Sequence, residues 1–194
     1  MREKMKSKLG AALLFFLVFQ GCASSSRSKV VFHDQKMDFG SIRAAAVMPF
    51  RNLSRESMAG DRVRDIFMTM LQATGALYVI PPGEVARGIS RLNMENPASP
   101  TPEEVMKIAK VINADAVFTG TVTEYGEVRS GSTTANVVSF SMQLMEVQTG
   151  KVVWSAASSE GGITMSDRMF GGGGEPMNAT TQKAVDGILD KLFK

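Results

Sequence analysis

One cysteine in 194 residues, at position 22 directly after a small residue and an apolar run, sets the terms on which this chain can fold. Arg2, Lys4, Lys6 and Lys8 form a cationic start, residues 9–19 read Leu-Gly-Ala-Ala-Leu-Leu-Phe-Phe-Leu-Val-Phe, and Gln20, Gly21 and Cys22 come next. Charge, a short apolar stretch and a small residue before the cut are the three parts of a bacterial export signal. The apolar run is well short of the roughly 20 residues a membrane-spanning helix needs. Folding is therefore expected to involve only the chain from residue 22 onward. With a single thiol, neither a disulfide framework nor thiol catalysis is expected.

The stretch ending in Gly21-Cys22 resembles the lipobox of bacterial lipoproteins, although Phe19 and Gln20 stand where that motif prefers Leu and a small residue. The resemblance implies cleavage between Gly21 and Cys22 and acylation of Cys22. Two or more acyl chains, at about 0.8 kcal/mol per buried methylene, anchor a protein stably to a membrane. Ala23 occupies the place where an aspartate would retain a lipoprotein in the inner membrane, so the expected destination is the periplasmic face of the outer membrane. Cleavage also changes the electrostatics. The leader holds four of the 22 basic residues and one of the 19 acidic ones, so the mature chain carries 18 of each. The sequence pI of about 9.1 belongs to the discarded peptide, and it gives no argument for nucleic-acid binding.

Three segments are expected: a leader over 1–21, a lipidated tether over 22–39 and one folded domain over 40–194. Residues 23–29 are too small and polar to pack, and Val30, Val31, Phe32, Met37 and Phe39 offer partial docking of the remainder. Fully extended, 23–39 would reach roughly 55–60 Å.

Within the domain, 44–50 reads as a buried strand, and Val63, Ile66, Phe67, Met70 and Leu71 recur on one face of a helix over 58–74 that stops at Gly75. A strand at 77–80 and a short helix at 83–92 come after it. Thr101-Pro102-Glu103-Glu104 then announces a helix with a capping box. Residues 116–122 read as a strand, 126–136 as a polar loop, and 138–144 as a half-buried strand of period two. Gln148-Thr149-Gly150 turns the chain into a partner strand at 151–155. Residues 157–177, with the Gly171–Gly174 run, read as a mobile loop, and 179–193 as a closing helix. The order βαβααβ, then a β-hairpin and a helix, predicts an α/β domain with a mixed sheet and helices packed on it.

Little supports catalysis. His33 is the only histidine and falls in the tether segment, where it reads as a solvated residue. With no second histidine and no cysteine in the domain, neither a transition-metal site nor a Ser-His-Asp triad is expected around it, and a Cys-His pair is excluded. The glycine run lacks the Lys-Ser/Thr that a phosphate loop needs, and Glu175-Pro176 stands there instead. Glu103-Glu104 is explained by helix N-terminal electrostatics. Neither a cofactor nor a metal is expected. Tyr125, Arg129 and Trp154 are the candidate partner contacts, with core burial an equal alternative for Trp154.

The run Ser141-Met142-Gln143-Leu144-Met145-Glu146-Val147-Gln148-Thr149-Gly150-Lys151-Val152-Val153-Trp154-Ser155 resembles the penultimate hairpin of LpoB-type lipoproteins, outer-membrane activators of bifunctional penicillin-binding proteins. Ala46-Val47-Met48-Pro49-Phe50 and Asn113-Ala114-Asp115-Ala116-Val117-Phe118-Thr119-Gly120 are similar to segments of a wider group that includes CsgG and the amino-terminal domain of TolB. The resemblance covers about residues 43–163. It implies a non-catalytic periplasmic α/β domain that acts by contact with a peptidoglycan synthase. The tether is short for that group. The alternative it leaves open is a CsgG-like ring or secretion component, hence a homo-oligomer. A membrane-spanning hairpin needs strands of about 9–11 residues with apolar residues alternating outward, and 126–136 and 157–177 lack that pattern.

Overall fold

The computed structural model describes residues 30–163 and 174–193. Seven strands form one mixed sheet: β1 (Val31–His33), β2 (Ala44–Val47), β3 (Arg51–Asn52), β4 (Tyr78–Val79), β5 (Ala116–Ser130), β6 (Thr133–Glu146) and β7 (Val152–Gly161). Among the described residues four α-helices accompany it: α1 (Ala59–Thr74), α2 (Pro82–Arg91), α3 (Pro102–Ile112) and α4 (Met177–Phe193). The spatial order is β1-β7-β6-β5-β2-β4, with β3 also on β5. Strand β2 runs parallel to β4 and β5, and the helical crossovers supply those reversals of direction. Strands β5, β6 and β7 form an antiparallel meander, and β1 closes its outer edge against β7. The α/β domain with a mixed sheet predicted from the alternation of signals is the fold observed.

Local chemistry places the ends. The strand read over 44–50 breaks after Val47, because Pro49 has no N–H to give the ladder. Pairing resumes at Arg51 and Asn52, opposite Thr121 and Val122. Helix α1 ends at Gly75, whose φ of 64° is the left-handed conformation that glycine adopts without strain. Helix α3 opens on the capping box: the Glu104 N–H donates to Thr101 Oγ1, and the Thr101 N–H donates to Glu104 Oε2.

The sheet buries both faces. On one, α1 and α4 cover Phe118, Phe140, Met142, Leu144 and Trp154. Edge-on ring contacts link Phe67 to Phe118 at 5.2 Å and Phe118 to Trp154 at 6.4 Å. On the other, α2 and α3 cover Ala46, Met48, Ile80, Val117 and Met145.

Three segments depart from expectation. Residues 126–136, read as a loop, are the distal half of the β5–β6 hairpin, which turns at Gly131-Ser132 with a positive φ at Gly131. Much of this distal half is solvent-exposed, so no apolar alternation marks it. Residues 157–161, read as the start of a loop, continue β7. Residues 164–173 lie outside the described residues. His33, read as solvated tether, is half-buried in β1. Its Nε2 donates to the Lys191 carbonyl at 2.8 Å, and its ring meets Phe39 and Trp154 edge-on. The sheet thus begins at Val31, inside the segment read as tether.

Candidate interaction surface

A concavity with exposed apolar side chains, Leu53 and Val128 among them, lies where the distal β5–β6 hairpin passes the 53–58 loop and the start of α4. Asn52 builds that loop. Its Nδ2 donates to the carbonyls of Glu56 and Ser57, and its Oδ1 accepts from the Ser54 N–H and hydroxyl. The Leu53 N–H donates to the Val122 carbonyl, which pins the backbone while leaving the side chain 54% exposed. Opposite, the β5–β6 register shifts between Val122 and Glu124. Such a bulge redirects the strand beyond it. Tyr125 then points inward, 8% exposed, and Val128 outward, 37% exposed. Leu53, Tyr125, Val128, Val137 and Met177 line the resulting groove, with Arg55, Arg62, Glu56, Glu124 and Glu127 around it. Arg62 and Glu56 stand 4.0 Å apart and exposed, a pair that contributes little by itself. An apolar floor with a mixed-charge rim is the composition of a protein-contact patch rather than of a reaction centre.

The sequence-predicted residues divide accordingly. Tyr125 lines the groove. Arg129 is exposed near the tip of the same hairpin, where its Nε donates to the Gly131 carbonyl. Trp154 is fully buried and its Nε1 donates to the Lys191 carbonyl at 3.1 Å, so no partner reaches it. It faces inward because its strand position opposes Leu144 on the α4 side of the sheet. Gly21 and Cys22 lie outside the described residues. Leu53 and Val128 were missed. Their only sequence signal is an apolar residue isolated among polar ones, which also describes many buried positions.

The motif residues are structural. Glu146 Oε1 accepts from the Gln148 N–H, and its Oε2 from the Thr149 N–H and hydroxyl, closing the β6–β7 turn. Burial pushes the Glu146 carboxyl up, but these hydrogen bonds outweigh it and hold the group below the usual carboxylate range. Asp115 Oδ2 accepts from the N–H groups of Arg43 and Ala44, joining the start of β2 to that of β5. Asn113 takes the left-handed cap of α3 at φ 56°. Arg64 donates to the carbonyls of Val47 and Met48 at the end of β2, and burial lowers its pKa. Among the described residues, no three His, Cys, Asp or Glu side chains are grouped to hold a metal. No described helix is long and apolar enough to cross a membrane.

No curated protein sequence matches the chain. Solved structures share the fold, two of them with the following likeness. The PelC dodecamer of Paraburkholderia phytofirmans is 20% identical, with a TM-score of 0.58 over 85% of this chain and 98% of that one. Lipoprotein GNA1162 of Neisseria meningitidis is 20% identical, with a TM-score of 0.57 over 77% and 97%. Residues 20–159, well over half of the chain, match the family described as peptidoglycan-synthase activator LpoB. That span takes in the hairpin, the Asp115 junction and the Gly21-Cys22 pair, and the chain belongs to the LpoB family of non-catalytic peptidoglycan-synthase activators.

Proposed function

We propose that the protein is anchored to the periplasmic face of the outer membrane through acyl chains on Cys22 and activates a bifunctional penicillin-binding protein by contact alone. Family membership carries this reading. The groove between Leu53 and Val128 is its contact face, because it combines exposed apolar side chain with a charged rim. In-cell crosslinking of the full-length lipidated protein, with mass spectrometry of the products, tests it. A penicillin-binding protein among those products is the expected result.

A ring assembly is the second reading, favoured by the likeness of fold to PelC, which is described as a dodecamer. Crosslinked ladders of this chain alone, with no synthase, would replace the activator reading with that one.

A further inference from the structure

Strand β1 is the open edge of the sheet, and the chain enters the domain there. Only residues 23–29 separate Cys22 from Val30, so residue 30 lies at most about 26–29 Å from the anchored residue. The entry edge therefore stays close to whatever membrane holds Cys22. That edge is apolar where a solvated edge would carry charge. Val30 is 63% exposed and Phe32 49% exposed, although Phe32 sits in register with Ser155 of β7. Val31 and His33 face α4, the latter through the Lys191 carbonyl, so Val30 and Phe32 stand on the opposite side of β1 with no described helix over them.

We infer that the β1 edge lies against the lipid surface, with Phe32 and Val30 entering the interfacial layer where aromatic and apolar side chains are favoured. The inference rests on the lipid anchor at Cys22 and adds an orientation to it. The domain is laid down edge-first on the membrane rather than suspended freely from its tether. The opposite edge, β4, stands roughly 24 Å away across five strand spacings and is held off the membrane. Tyr78, 61% exposed on β4, marks that far side. Length of connection separates the two edges, since both carry an exposed aromatic residue and only one adjoins the anchor.

The test uses full-length lipidated protein in phosphatidylethanolamine–phosphatidylglycerol vesicles whose acyl chains are brominated, which quench nearby indoles. Phe32→Trp and Tyr78→Trp variants are compared, and the buried Trp154 of the unsubstituted protein supplies the common background. Flotation of the vesicles establishes anchoring first. Protein that fails to float overturns the anchor and the orientation together. Protein that floats should lose clearly more emission in the Phe32→Trp variant than in the Tyr78→Trp variant. Equal quenching at the two sites, or none at either, overturns the orientation while leaving the anchor standing. The second of these is the result expected if another copy of the chain covers the edge.

Discussion

The Phe50 ring packs against Gly120, so close that a β-carbon added there would stand 2.9 Å from two ring carbons. Phe50 enters after the Pro49 break between β2 and β3, and Gly120 belongs to the central strand β5. The pair thus ties the interrupted edge of β2 to the middle of the sheet. Phe50 cannot simply swing away, because Phe67 of α1 packs on it with ring centroids 6.3 Å apart. Gly120→Ala is expected to cost about 1–3 kcal/mol through overpacking. Urea unfolding checks this, and adding Phe50→Leu to the same chain should recover part of the loss. A double variant no more stable than the single one would show that the strain lies elsewhere.

Glu146 gives the fold a dependence on acid. Its carboxyl is held below the ordinary value of 4.5 in the folded state, so the unfolded chain binds the proton more tightly. Its stabilising contribution is complete above that ordinary value and is lost as pH falls through the lower folded one. Replacing it by Gln should cost about 1.5–3 kcal/mol at neutral pH, the range for hydrogen bonds to a charged group. The gap between the two proteins should close on acidification. A gap that stays constant from neutral pH into the acid range would show that the charge of Glu146 plays no part in the turn.

Most of the architecture was legible because it is written in local chemistry. The capping box at Thr101, the glycine stop at residue 75 and the alternation of Val138, Phe140, Met142 and Leu144 each act within a few residues. The features that escaped are set by distant partners. His33 carries no local mark of its bond to Lys191, 158 positions away. The distal half of the β5–β6 hairpin lacks the apolar alternation that flags a half-buried strand, and its strands are held by cross-strand pairing instead. Tyr125 was identified as a candidate contact, whereas Leu53 and Val128 emerge only once a bulge and an Asn-built loop bring them together. The motifs that mark the family, at Asp115, Glu146 and Gly150, are turn and junction chemistry. They specify the fold and leave the contact face unmarked.

The groove can be separated from the fold by charge. Leu53→Asp and Val128→Asp place a carboxylate on the groove at a cost to the fold of about 1 kcal/mol or less, since both side chains reach solvent. A hot-spot contact is worth more than about 1 kcal/mol. Each variant is therefore expected to reduce crosslinking to the synthase several-fold while its melting temperature stays within a few degrees of the parent. Trp154→Phe should behave in the opposite way, lowering stability through loss of its bond to Lys191 and leaving crosslinking per folded molecule unchanged. Crosslinking that is indifferent to both aspartates would move the contact to another face.

Strand β1 should stabilise the domain as well as link it to its tether. Val31 packs on the core from the sheet edge, and His33 and Trp154 both donate to the single carbonyl of Lys191 at the end of α4. Without β1 that carbonyl loses the His33 donor, and the edge of β7 is left open to pair with other chains. A protein of residues 40–194 is expected to unfold as one cooperative unit, but about 1–3 kcal/mol less stable than one of residues 30–194. It should also aggregate more readily. Trp154 is the only tryptophan and is fully buried. Its emission therefore reports global unfolding of both proteins without a label. Coincident urea midpoints would reduce β1 to a passive continuation of the tether, and two separated transitions would divide the domain itself.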